Sequence, residues 1–534
     1  MFASLILFLC LFFQPGQGRQ GQFPPAQQPS PAPATTAPSA QTGQPGQPGQ
    51  GGAGGGRAQA QPSPSPEETP VVTKHEIHAG NRALRYTATT GMMPIKNREG
   101  ETEARIFYMA YTLDDAGPRN RRPVTFAFNG GPGSASVWLH LGAIGPKRVK
   151  MNPDGTMPAP PYDLVDNDLT WLTTSDLVFI DPVGTGYSRA ARPELASRFF
   201  GLAGDIDSVG EFIRMYLTRY ERWTSPLFLA GESYGTTRAS ALSEYLIQRG
   251  IALNGIMLIS TIMNFETTNF APGNDIPYAL YLPSYAATAW YHKKLPPDLQ
   301  AKSVQQLVAE VEQWAATDYL IGLQKGNQLS SQERQDLVNK LARYTGLETR
   351  FIDNANLRVN LNLFRKELLR NEKRSIGRLD ARFKGYDASL ATDSPDFDAS
   401  ETAIRPPYTS TFNNYVRSEL GYKSDLEYYI LGGGITSPWN WGTNNTYVDT
   451  SVALRTALAR NPYLKVFVAM GYYDMATPYF AARYTLEHIS LDPTLLKNVS
   501  TSYYEAGHMM YIDDKSLTKL RADIEKFMQD SVRR

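Results

Sequence analysis

One cysteine, Cys10, is all that this chain of 534 residues carries. That excludes an intramolecular disulfide and any cysteine-built zinc site or cluster. Histidine is nearly as scarce: the 6 present are scattered, with no HExxH or other ligand spacing, so no metal and no cofactor is implied. An excess of charge of one sign is lacking too. Lys and Arg number 53 against 52 Asp and Glu, a net charge of +1. A nucleic-acid binder is expected to show a basic excess or stripe, so no nucleic-acid partner is expected. What is present is apolar substance, 42% hydrophobic and 11% aromatic. That fills the core of one large domain with insertions, or of two ordinary ones.

The run Phe2–Phe13 is apolar apart from Ser4, but it is shorter than the roughly 20 residues that cross a bilayer as a helix. Gly16 and Gly18 follow, placed like a cleavage site, so residues 1–18 read as a secretory signal peptide. The segment before the run has no Lys or Arg, which leaves an uncleaved anchor as the alternative. Bulky Leu9 before Cys10 argues against a lipoprotein signal. The expectation is export, to a periplasm or outside the cell, with no stable membrane span after cleavage. Residues 19–70 read as a tether: from Gln14 to Pro70 there is no Leu, Ile or Val, and Pro, Gln, Gly, Ser and Ala dominate. Such a stretch cannot bury enough apolar surface to offset its ordering entropy. Structure is expected to begin at Val71.

From Val71 onward, His75–His78, Ala83–Thr87 and Ala104–Tyr111 look like polar-flanked strands. The apolar runs Val124–Phe128, Leu177–Ile180, Leu227–Ala230, Ile256–Ser260 and Val466–Met470 suit buried strands of a mostly parallel sheet. Helical patterns at Ile206–Tyr220 and Ala239–Gln248 fall between them, which predicts an α/β architecture. The texture changes over 271–441. Helical periodicity marks Ser303–Trp314, Ser331–Tyr344 and Leu357–Asn371, the stretch Gly385–Pro407 looks like a loop, and strand signals return only after 460. We therefore expect core over 71–270, a mostly helical insertion over 271–441, and the rest of the core over 442–534.

Leu227-Phe-Leu-Ala-Gly231-Glu-Ser233-Tyr-Gly235 is an apolar strand running into G-x-S-x-G and then a helix, the pattern of a nucleophile elbow. A serine hydroxyl needs a base, and the base an orienting carboxylate. In this architecture acid and then histidine follow the serine. His508, at the end of Tyr503-Tyr-Glu-Ala-Gly-His, suits a loop-borne base, whereas His292 and His488 read as packing or surface residues. Asp474 sits just past the strand Val466–Met470, where the acid belongs. Phe126-Ala-Phe-Asn129-Gly130-Gly131-Pro-Gly133-Ser-Ala-Ser136 is a strand emptying into a glycine-rich turn, whose N–H groups could cradle an oxyanion or a carboxylate. It lacks the lysine of a phosphate loop.

In chain order, Asn129-Gly-Gly-Pro-Gly133, Asp181-Pro-Val-Gly-Thr-Gly-Tyr-Ser188, Gly231-Glu-Ser-Tyr-Gly235, the Asp474 loop and Gly507-His508 resemble the serine carboxypeptidase family over roughly residues 100–515. The resemblance implies an α/β-hydrolase fold with a helical insertion, and a secreted enzyme that releases C-terminal residues from peptide substrates. It implies Ser233 as nucleophile, His508 as base and then acid, and Asp474 as its orienter. The N–H groups of Gly131 and Tyr234 would form the oxyanion hole. Asn129, the N–H of Gly130 and Glu232 would hold the substrate's terminal carboxylate. Two carboxylates in contact cannot both stay ionised cheaply, so Glu232 and the terminus would share a proton. Binding would weaken as pH rises, in keeping with the family's tendency to work in acid.

Phe128 stands where many relatives have Trp, and the disulfides of some relatives have no counterpart. Ala143 occupies the place of a second glutamate that many relatives carry. The expectation is that Glu232 is then easier to ionise, that the optimum moves toward neutral pH, and that discrimination for a free C-terminus loosens. His140, one turn earlier, would compensate by charge or simply pack. An esterase or acyltransferase using the same triad stays open, as does a catalytically silent scaffold. Oligomeric state is left open.

Overall fold

A computed structural model describes residues 69–533; the signal peptide read at 1–18 and the tether up to residue 68 lie outside the described residues. The chain opens with an antiparallel meander of β1 (Val71–Ala79), β2 (Arg82–Lys96) and β3 (Thr102–Leu113). Along β1, partly buried and exposed residues alternate, as expected of a strand with one wet face. The fully apolar runs behave differently. They become β4 (Val124–Phe128), β5 (Asp176–Ile180), β6 (Leu227–Ser233), β7 (Gly255–Thr261) and β8 (Lys465–Gly471), joined at the far edge by β9 (Val499–Tyr504). These pair parallel to one another, and every residue of β4, β5 and β7 is buried. The spatial order is β1-β2-β3-β5-β4-β6-β7-β8-β9, and the short Arg189–Ala190 pairs with β3 to complete a 10-stranded sheet.

Helix α1 (Leu202–Arg219) precedes β6, and α2 (Tyr234–Gln248) leaves it. Between β7 and β8 lie α3 (Ile276–Tyr291), α4 (Val304–Trp314), α5 (Ser331–Thr345) and α6 (Ala399–Ser418), with shorter helices such as Ser451–Arg460 among the rest. α7 (Tyr479–Glu487) and α8 (Asp514–Val532) flank β9. The two-residue period of the strands sorts their side chains between two cores. Phe126, Leu229, Leu258 and Val468 meet the side of α1, α2 and α3. Ala127, Phe228, Met257 and Phe467 meet the side of α6 and α8.

α4 and α5 lie where the periodicity places them, each opened by a capping box, Ser303 with Gln306 and Ser330 with Glu333. Elsewhere in this region the structure departs from expectation. The helix read over Leu357–Asn371 is confined to Leu361–Glu367, because the side chain of Asn360 accepts from Leu363 N and starts it late. The expected loop Gly385–Pro407 turns helical at Ala399, and α6 runs through Pro406 and Pro407. Asp398 caps its first turn, and Ala403, Ile404, Tyr408, Phe412 and Tyr415 form one buried stripe. Packing of that stripe outweighs the hydrogen bonds lost at the prolines. Two short strands, Ser375–Ile376 and Lys384–Gly385, also pair where no strand was expected. Among the described residues no helix is long and apolar enough to cross a membrane.

Candidate active site

Ser233 ends β6 and immediately precedes α2, with φ of 60° and ψ of −131°. A serine at positive φ is uncommon and costs backbone strain, and its neighbours show what enforces it. A Cβ on Gly231 would fall 2.2 Å from Gly235 O, and one on Gly130 would fall 2.4 Å from Tyr234 N. Only glycines let the 129–133 turn and the elbow approach this closely. The contact sets Gly130, the residue before Gly131, against the N–H of Tyr234. Ser233 itself is half-buried.

The other two residues of the expected triad follow β8 and β9. Asp474, fully buried after β8, accepts from Ala476 N at 2.8 Å and Thr477 N at 2.9 Å through Oδ1. Its Oδ2 accepts from Thr477 Oγ1 at 2.8 Å and from His508 Nδ1 at 2.7 Å. An ionised carboxylate can only accept, so Nδ1 carries the proton and Nε2 is the free lone pair. His508 is tied to β7, whose Ser260 Oγ donates to the His508 carbonyl at 2.5 Å. Thr261, the next residue, is paired with Ser233 across the sheet. Burial opposes protonation of His508, but the charge and hydrogen bond of Asp474 outweigh it and hold the imidazole above its ordinary range.

Glu232, beside Ser233 in the chain, is 3% exposed. Asn129 Nδ2 donates to its Oε1 at 3.0 Å, and Tyr511 OH donates to its Oε2 at 2.5 Å. The Asn129 amide is oriented by Leu139 N, which donates to Oδ1 at 3.0 Å. Burial pushes the Glu232 carboxyl up to about 7, opposed by the positive charge of His508 and by the two donors. Whatever ease of ionisation Ala143 was expected to confer is therefore offset by dehydration. Ala143 is fully buried, and its carbonyl accepts from Asn167 Nδ2 at 2.9 Å. His140 does not compensate by charge. It stacks on Phe179 at 4.3 Å, meets Tyr111 OH at 2.7 Å, and is held neutral by burial, which lowers it to about 3.

Several residues escaped the sequence reading. Arg238 is 1% exposed; its Nε donates to Asp205 Oδ2 at 2.8 Å and its Nη1 to the carbonyl of Asn129 at 2.7 Å. Tyr234 OH donates to the same Asp205 oxygen at 3.1 Å. The signal was a charge at the head of the buried stripe Arg238, Leu242, Leu246. Thr477 locks Asp474, and Asp380 accepts Gly507 N at 3.1 Å, next to the base. Tyr511, three residues past His508, had no local signal. His292 meets the carbonyl of Ala381 and His488 that of Tyr484 in α7, so each ring is held by a backbone carbonyl. Among the described residues no group of three or more His, Cys, Asp or Glu is placed to hold a metal ion.

The chain is 24% identical over 215 residues to a serine carboxypeptidase-like protein of Arabidopsis thaliana, a stretch covering 37% of this chain and 48% of that protein. It is 29% identical over 178 residues to the pheromone-processing carboxypeptidase KEX1 of Saccharomyces cerevisiae, covering 32% of this chain and 22% of that one. The chain thus spans about half or less of the length of these curated relatives. The crystal structure of the yeast prohormone-processing enzyme superposes with a TM-score of 0.51 at 18% identity, covering 83% of this chain and 91% of the other, which establishes the α/β-hydrolase fold. The profile described as serine carboxypeptidase matches residues 81–520, most of the folded part, and the chain belongs to that family.

Proposed function

We propose that this protein is a serine-type carboxypeptidase that removes C-terminal residues from peptides, exported to a periplasm or the cell exterior. The observation that carries the reading is Glu232: a buried carboxyl with a raised pKa, bonded to Asn129, one residue from the nucleophile. A peptide whose terminal carboxylate meets protonated Glu232 would have its last peptide bond beside Ser233. Export is supported by the apolar run Phe2–Phe13 with Gly16 and Gly18 behind it.

The chemistry follows from the roles. Ser233 Oγ attacks the last peptide carbonyl while His508 Nε2 takes its proton, and Asp474 stabilises the imidazolium. The oxyanion is held by the N–H groups of Gly131 and Tyr234, fixed donors that need no reorganisation as charge develops. The C–N bond then breaks, and His508 returns the proton to the departing amine of the C-terminal residue. Water, deprotonated by the same nitrogen, attacks the acyl ester and frees the shortened peptide and Ser233. Through the first half, the amide of Asn129, the N–H of Gly130 and the proton of Glu232 grip the leaving residue's carboxylate.

The test is hydrolysis of an N-blocked dipeptide with a free C-terminus, followed by mass spectrometry, with Ser233→Ala as blank and a simple ester alongside. Release of the C-terminal residue by wild type alone supports the proposal. Ester turnover with the peptide untouched would replace it with an esterase or acyltransferase.

A further inference from the structure

Tyr511 is 2% exposed and gives Glu232 one of its two donors. Room for its ring is made by Gly142: a Cβ there would fall 2.4 Å from Tyr511 Cε2 and 2.7 Å from Tyr408 OH. The groups facing Glu232 are the Asn129 amide from the turn after β4, Tyr511 and His508 from the loop after β9, Asp474 from the loop after β8, and Tyr408 of α6. His508 and Asp474 among them are paired with each other, Nδ1 to Oδ2, at 2.7 Å. We propose that Tyr511 is a positioning residue of the carboxylate pocket, a donor that does not itself ionise, which fixes Glu232 in place and sets the pH range over which a free C-terminus is recognised.

The effect is electrostatic, and its consequence for substrate rests on the carboxypeptidase reading. A phenol hydrogen bond favours the ionised form of the carboxyl it meets, so Tyr511 moderates the rise that burial imposes on Glu232. Burial and the nearby Glu232 hold the phenol well above its ordinary range, so it never adds a second negative charge beside the substrate's carboxylate. The pocket then switches with the loss of one proton, from Glu232.

Infrared titration of the protonated carboxyl band, assigned by its loss in Glu232→Gln, reads this directly. In Tyr511→Phe the midpoint should move up by about one pH unit or more, the effect of removing a hydrogen bond from a charged acceptor. The alkaline limb of kcat/KM on the free-acid dipeptide should move with it. An unmoved midpoint, in protein whose circular dichroism matches wild type, overturns the inference. If Tyr511→Phe does not fold, replacing Tyr511 with a ring-fluorinated tyrosine, a stronger donor, should move the midpoint down, and no movement overturns it. A moved midpoint in an enzyme that leaves the dipeptide intact would uphold the role of Tyr511 and sink the carboxypeptidase reading instead.

Discussion

In the proposed mechanism Ser233 can be used only while His508 is unprotonated and Glu232 is protonated, and pH pulls these requirements in opposite directions. His508 is held above its ordinary value, so the base is lost as pH falls through that raised pKa. Glu232 sits at about 7, so the carboxylate grip is lost as pH rises past it. The two groups also feel each other's charge. A bell whose alkaline limb falls near pH 7 is therefore predicted for kcat/KM on free-acid peptides. On a simple ester, which makes no demand on Glu232, the alkaline limb should be missing. A peptide optimum at pH 4–5 would contradict both assignments. At Asp474 the orienting role is strict, since Oδ2 accepts from His508 and both oxygens are held by Thr477 or its neighbours. Asp474→Asn would favour the wrong imidazole tautomer, and kcat should fall by about 10⁴-fold with KM little changed.

Among the elements, the site is held by ties between segments far apart in sequence. Arg238 on α2 joins Asp205 on α1 to the carbonyl of Asn129, and burial raises the Asp205 carboxyl against the pull of that guanidinium. Arg238→Ala should cost about 3–5 kcal/mol in urea unfolding, because it strands a buried carboxylate. Arg238→Met with Asp205→Leu should recover most of that stability but not activity, since the Asn129 turn and Tyr234 stay untethered. The segment around Asp380 acts likewise on the base: Asp380 takes Gly507 N, and Leu379 O takes His508 N at 2.6 Å. Asp380→Ala should lower kcat on peptide and ester alike by about tenfold or more, while Asp380→Asn keeps an acceptor and most of the rate. These ties also mark the limit of what the sequence discloses. Asn129–Gly133 and Gly231–Gly235 are legible because tight turns impose their chemistry on adjacent residues. Asp380 to Gly507 and Tyr511 to Glu232 are contacts across 127 and 279 positions, with no local pattern. The helix through Pro406 and Pro407 is hidden for the same reason, since its stability comes from what packs on it.

For the whole molecule, Ser233 comes from before the helical stretch and Asp474 and His508 from after it, so the proposed site forms only when the sheet has closed across that gap. Gln305 of α4 reaches Glu505 at 2.8 Å, and Glu312 of the same helix accepts both Tyr479 OH and Arg483 at 2.7 Å, binding α4 to the late core. With Cys10 the single cysteine, no intramolecular disulfide assists this assembly. The unfolding temperature should be the same with and without a thiol reductant. The measurement that bears most directly on the account is the ratio of kcat/KM for an N-blocked dipeptide acid to that for its C-terminal amide, taken from pH 5.5 to 8.5. A carboxylate grip centred on Glu232 predicts a large ratio at the acid end that collapses as pH passes about 7. A ratio near one at every pH would contradict it.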